Sequence, residues 1–135
     1  MSDHGETHVN LFLFTVGGVH FAADVEQAVL MTPYSGEKAE DLFWFHEELG
    51  FGNTITYHAP VIVTIRTEDA ESYRVIIDLM EEIAEFSRDD IRPFPELLEP
   101  IALRIGMWAI LPLHGRMVLL VDFQRLLQHR RRARC

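Results

Sequence analysis

Apolar and polar residues alternate in short runs along most of this chain, and the runs stop at turn-forming residues. Residues 10–16 read as a strand, with Leu11 and Leu13 opposing Phe12, Phe14 and Val16. Gly17-Gly18 is a hairpin signal, because both residues can take positive φ. Residues 19–23 return as a second strand, which 25–31 continue past a bend at Asp24. Residues 32–38, with Pro33 and Gly36, are expected as a loop. The period then changes. At ~100° per residue, Leu42, Phe45 and Leu49 share one face, which predicts a helix over 40–49 closed by Gly50. Trp44 falls on the opposite side of that helix, beside Glu47 and Glu48.

The second half has the same texture. Residues 60–66 are apolar on both faces and read as a central strand, followed by a polar turn over 67–71. Residues 73–78 return, and 79–86 form a further strand or a short helical turn. Pro93 and Pro95 require an extended segment over 91–95, and 96–103 can form a helical turn. Residues 107–113 and 116–121 make a hairpin around His114-Gly115. Asp122 caps a last helix with Phe123, Leu126 and Leu127 facing inward. Short strands with one helix after each half predict paired small β-barrels or sandwiches.

The halves are related. Phe21-Ala22-Ala23-Asp24-Val25-Glu26-Gln27-Ala28-Val29 lies over Val75-Ile76-Ile77-Asp78-Leu79-Met80-Glu81-Glu82-Ile83, with apolar matches at 21/75, 25/79 and 29/83 and aspartates at 24/78. Each copy then reaches an acidic residue opening an expected helix, Asp41 in the first and Asp122 in the second. Asp24 to Asp41 spans 17 residues and Asp78 to Asp122 spans 44, so the first copy is 27 residues shorter. That is about two strands with their turns. A closed first barrel does not survive such a loss, so its strand edges should be open and a homodimer should cover them.

Charge changes this picture at one end only. Residues 1–122 carry 7 basic and 21 acidic side chains, a net −14, whereas 123–135 carry five arginines and no acid. The acidic body opposes nucleic-acid binding. The arginine-rich end could contact nucleic acid or an anionic membrane, but it better suits a solvated helix end, where cations favour the helix dipole. The polar, acidic start and the single cysteine, Cys135, predict a reduced, cytoplasmic protein without a disulfide framework. No run is long enough to insert in a membrane.

Candidate chemistry is sparse. No glycine-rich phosphate cradle occurs. His46-Glu47-Glu48-Leu49-Gly50 lacks the second histidine of a zinc helix, and His4 with His8 lacks a third ligand. Asp24, Asp78 and Asp122 are explained by turns and caps. The expectation is therefore a protein without catalytic residues, metal or cofactor.

Several segments resemble the chemotaxis coupling protein family, the CheW-like domains. They are Phe12-Leu13-Phe14-Thr15-Val16-Gly17-Gly18-Val19-His20-Phe21-Ala22, then Tyr73 to Ile83, then Asp89-Asp90-Ile91-Arg92-Pro93-Phe94-Pro95-Glu96-Leu97-Leu98, then Leu113 to Leu127. The last two are similar to the family's I-x-P-x-P-x-L linker and G-x-x-x-x-L-L-D-x-x-x-L-L hairpin and helix. The resemblance covers about residues 10–128, and order and spacing carry it. It implies a pair of pseudo-symmetric β-barrel lobes, mainly β with a few short helices. It also implies an adaptor without chemistry of its own, coupling a CheA-like histidine autokinase to a chemoreceptor. Of the family's first-lobe segment G-x-I-N-x-R-G-x-x-x-P-V-x-D-L, only Glu40-Asp41-Leu42 remains. Its asparagine–arginine–glycine loop is part of what members use toward receptors, so its loss weakens the implied receptor contact more directly than the kinase contact.

The expected organisation is a disordered start over 1–8, one domain over 9–128 with lobes near 9–59 and 60–128 whose termini can exchange, and a basic tail over 129–135. Candidate partner-binding residues are Phe43 and Trp44 on the expected helix, Ala28 and Leu30 after Asp24, and the acidic patch Glu81, Glu82 and Glu85. The alternative function is a small-ligand sensor or regulatory domain reusing the same fold.

Overall fold

Residues near the N-terminus bury side chains on both faces of one strand. Phe12, Phe14 and Val16 enter one apolar cluster, and Val9, Leu11 and Leu13 enter another. Such a strand must lie between two layers. The computed structural model describes residues 7–52 and 54–134. Residues 1–6, with His4, together with Asn53 and Cys135, lie outside the described residues. In chain order the elements are β1 (His8–Val16), β2 (Val19–Asp24), β3 (Ala28–Pro33), β4 (Leu42–Trp44), α1 (Phe45–Glu48), β5 (Val61–Ile65), β6 (Arg74–Ile77), β7 (Glu82–Ser87), α2 (Glu99–Arg104), β8 (Met107–Leu113), β9 (Arg116–Val121) and α3 (Phe123–Arg134).

They form a five-stranded sheet in the order β7-β1-β2-β9-β8 and a four-stranded sheet in the order β3-β5-β6-β4. β1 and β2 make the expected hairpin, pairing Phe14 with Phe21. β2 then pairs in parallel with β9, Ala22 opposite Leu120, so the two ends of the chain share one sheet. The five-stranded sheet is built from 8–24 and 82–121 and the other from 28–77, so a division at residue 59 would cut through the second sheet. Residues 129–134, expected as a tail, continue α3.

The duplication is visible in the strand order. Each sheet has three antiparallel strands, β7-β1-β2 or β3-β5-β6, followed by a parallel one, β9 or β4. Asp24 and Asp78 both stand where the chain leaves one sheet for the other. Asp24 Oδ1 accepts from the Glu26 N–H at 2.8 Å and starts a single 3-10 turn. Asp78, 1% exposed, accepts from the N–H groups of His58 and Ala59 at 2.6–3.0 Å.

The helix expected over 40–49 is not formed as such. Leu42–Trp44 is strand β4, and only Phe45–Glu48 is helical, ended by Gly50 at φ +91°. Pairing with β6 overrides the local period, and the aromatic pair Phe43-Trp44 favours a strand. The registers also correct the second landmark of the repeat. Phe43 pairs with Val75 as Leu119 pairs with Phe21, and Val75 and Phe21 are equivalent. His46, rather than Asp41, therefore matches Asp122. Asp24 to His46 is 22 residues against 44 in the second half, a deficit of 22 instead of 27. The missing piece is one strand rather than two. Between β7 and β9 the chain makes α2 and β8, whereas β3 runs to β4 through residues 34–41 alone.

Two cores result. Phe12, Phe14, Phe21, Phe45, Val63, Val75, Ile77, Phe123 and Leu126 pack between the sheets. Leu11, Leu13, Ala22, Ala109, Leu111, Val118 and Leu120 fill the curve of the five-stranded sheet. That sheet closes on itself where Arg92, just beyond β7, exchanges two 2.8 Å backbone hydrogen bonds with Ile110 of β8. The corresponding inner face of the four-stranded sheet holds Ile62 and Ile76, and among the described residues no strand equivalent to β8 covers it.

The turn before β8 is tightly constrained. Gly106 has φ +84°, and an added Cβ would lie 2.7 Å from Leu126 Cδ2 and 2.9 Å from its Cγ. Gly115 has φ +77° with open space around it. Gly106→Ala is expected to lose about 2–3 kcal/mol in urea unfolding, from strain and displacement of α3 together. Gly115→Ala should lose about 1 kcal/mol, from strain alone. Equal losses would show that α3 packing does not constrain the turn.

Candidate partner-binding surface

β4 is an edge strand, and its neighbouring side chains point to opposite faces. Phe43 lies beside Tyr73, ring centres 5.8 Å apart, and beneath Arg130, whose Cζ is 3.5 Å from its ring centre. Trp44 sits opposite Ile76 and meets Tyr34 and Tyr57 edge-on at 5.3 and 4.8 Å. The helical wheel placed Trp44 away from its own core. The strand instead turns it into the gap left by the missing strand, where two tyrosines close over it. His46 anchors this cluster, its Nδ1 2.9 Å from Tyr57 Oη and its N–H donating to the same oxygen at 3.3 Å. Burial pushes the Tyr57 phenol up to about 12.

A polar knot ties α3 to the same lobe. The Glu48 carboxylate, its side chain 4% exposed, accepts from Tyr73 Oη at 2.6 Å, from Arg130 Nε at 3.1 Å and from Arg130 Nη2. Burial first, then the Glu48 charge, pushes the Tyr73 phenol well above its usual range. The hydrogen bond to Glu48 raises the Arg130 guanidinium in turn. Arg131 pairs with Asp69 at 2.8 Å and Glu71 at 2.9 Å. Two of the terminal arginines are thus engaged with the shortened lobe. A second bidentate pair opens β4: Arg74 Nε and Nη2 donate to Asp41 at 2.8 and 2.9 Å. Those bonds hold the Asp41 carboxyl at about 2.

Ala28 and Leu30 lie on β3, at the other edge of the sheet that carries Phe43 and Trp44. Ala28 packs against the inter-sheet core, whereas Leu30 is 57% exposed. Glu82 and Glu85 project from β7 in the other sheet, and Glu81 just before it accepts from the Thr15 hydroxyl at 3.1 Å. The acidic patch and the aromatic positions therefore belong to different lobes. Sequence reasoning missed Val29, exposed beside Leu30, and the apolar group Leu97, Leu98 and Ile101 around α2. The proline run marked that segment as extended, but nothing in it marked Leu97 as exposed.

A cleft of about 540 Å³ between Arg66 and α3 is lined by Asp24, Glu26, Arg66, Glu68, Gln128 and Arg131 among others. It is more polar than most small-molecule sites. No helix among the described residues is long and apolar enough to cross a membrane.

These features define a CheW-like fold: mainly β, two pseudo-symmetric lobes, the first one incomplete. The chain superposes on the crystal structure of the scaffolding protein TtCheW from Thermoanaerobacter tengcongensis with a TM-score of 0.62. The match covers 84% of this chain and 88% of that one at 11% identity. No family model matches the sequence, and no curated protein matches it.

Removing Arg130 strands the buried Glu48 charge. Arg130→Ala should cost about 3 kcal/mol in equilibrium unfolding, and Arg131→Ala, whose partners are more exposed, about 1 kcal/mol or less. Similar losses for both would show that the Glu48 cage is not a stability determinant.

Asp41 generates a pH dependence. Its folded pKa is depressed, so its pairing stabilises the fold above the usual aspartate range and is lost as pH falls toward about 2. Asp41→Asn should lower Tm at pH 6–7, with the difference from wild type shrinking as pH falls and vanishing only below about pH 2. A difference independent of pH would rule out the ion pair as its origin.

Proposed function

We propose that this protein is a non-catalytic, cytoplasmic CheW-like adaptor in chemotaxis-type signal transduction, with a CheA-like histidine autokinase as its main partner. The observation that carries this reading is the shared fold with a scaffolding protein along 88% of that protein's length. A chemoreceptor signalling domain is the second, weaker partner. The stretch where the family carries its receptor-contacting segment is shortened here, since residues 34–41 are all that joins β3 to β4. The exposed pair Glu82 and Glu85, with Glu81 beside them, offers an acidic edge to a basic partner surface. Phe43 and Trp44, half-buried on the edge strand β4, are already engaged by Arg130 and by two tyrosines, so they support a partner contact less directly than the acidic edge. A small-ligand role has the 540 Å³ cleft behind it, and a metabolite that raises Tm in a screen would favour that role.

Calorimetric titration of the purified protein with the regulatory domain of a CheA-like kinase, and separately with a receptor signalling domain, tests the reading. Kinase binding in the micromolar range is expected, with weaker binding to the receptor. Absence of binding to both at about 100 μM (a Kd worth only about −5.5 kcal/mol) would overturn it. Charge reversal by Glu82→Lys with Glu85→Lys should slow kinase association and flatten its salt dependence. Unchanged kinetics across salt would leave those glutamates as solvated surface.

A further inference from the structure

The internal duplication supplies a control for each strand edge. β3 and β7 occupy equivalent places, six residues each, 54 positions apart, and each is the end strand of its sheet. They differ in what they present. β7 carries exposed Glu82 and Glu85, and beyond it the sheet closes through Arg92 and Ile110. Charges of this kind prevent edge-to-edge pairing. At the matching positions β3 carries Ala28 and Met31. The whole stretch 27–36 has no charged residue. Val29 is 56% exposed and Leu30 57%, next to a bulge in the β3–β5 register. With no strand equivalent to β8 in this sheet among the described residues, β3 keeps an open, uncharged, apolar edge.

The other edge of the same sheet is different. Glu37, Lys38, Glu40 and Asp41 precede β4, Asp41 is paired with Arg74, and Trp44 is held between two tyrosines. These charges and ion pairs would have to be desolvated there if two copies paired. Along β3 they would not. In a chain of net charge −9, an uncharged edge is where two copies can approach without repulsion. Antiparallel pairing of β3 with itself about a two-fold axis satisfies both open edges in one contact.

We propose that the β3 edge is a homodimer interface whose occupant is β3 of a second copy, joining two four-stranded sheets into one. Val29 and Leu30 of each copy cover the partner's strand. This contact is independent of the signalling partners above, since the purified chain alone should form it.

Sedimentation equilibrium of the full chain at 1–100 μM tests the proposal, with circular dichroism checking the fold. Wild type should dimerise within that range. Leu30→Glu should weaken the dimer at least tenfold while keeping the monomer's spectrum and melting transition, because two carboxylates meet across the axis. Ile83→Glu, at the position on β7 equivalent to Val29, should leave the dimer unchanged. An equal mixture of Leu30→Glu and Leu30→Lys should restore dimers that neither forms alone, which a folding defect could not do. A wild-type monomer at 100 μM would overturn the proposal. So would a Leu30→Glu dimer of wild-type affinity, a mixture that stays monomeric, or loss of the dimer in Ile83→Glu.

Discussion

Everything in this molecule leans on one aromatic junction. Phe45, on a single turn of helix, lies 5.1 Å from Phe14, 4.9 Å from Phe21 and 6.0 Å from Phe123 by ring centres. Phe12 stacks on both Phe14 and Phe123. Those rings come from β1, β2, α1 and α3, so the contact joins the two sheets and both chain ends. Each aromatic pair adds about 0.5–1.5 kcal/mol beyond the burial of its area. Among the described residues the five-stranded sheet has a second core of its own, but the four-stranded sheet does not. The shortened lobe is therefore stable only as part of the whole.

That dependence explains the cage around Glu48. A lobe without its closing strand needs cover on more than one side. Tyr34 and Tyr57 supply it over Trp44, and α3 supplies it over Phe43. α3 can do so because its first half is fixed by Phe123, Leu126 and Leu127 in the shared core. Its arginines then meet carboxylates of the opposite lobe, where the desolvated Glu48 is satisfied from three donor atoms.

Most strands were legible in the sequence because their side chains obey a local rule. The hairpin of β8 and β9, the central position of β5 and the Asp122 cap all follow from neighbouring residues, and Asp122 Oδ1 does accept from the Gln124 N–H at 3.0 Å. Residues 40–49 defeated the same reasoning. Leu42, Phe45 and Leu49 fit a helical period, but Leu42–Trp44 is claimed by β6, some thirty residues away. The orientation of Trp44 was lost with that assignment. Nothing around Glu48 signalled its pairing, because its principal partner, Arg130, lies 82 residues on. The exposed β3 edge was half legible: Leu30 stood out, whereas Val29 needed the bulge.

The parallel pairing of β2 with β9 also sets an order of events during synthesis. Phe21 waits for Leu119, and Phe12 waits for Phe123. Residues 28–77 leave the ribosome as one complete sheet, yet the aromatic junction it packs against stays unfinished until the last helix is made. The first hairpin is thus made before the rest of this fold and is among the last parts of it to be fully paired. Such long-range closure makes folding slow and leaves strand edges open meanwhile. A chain released before residue 123 would display an apolar surface with nothing to bury it, a natural mark for quality control.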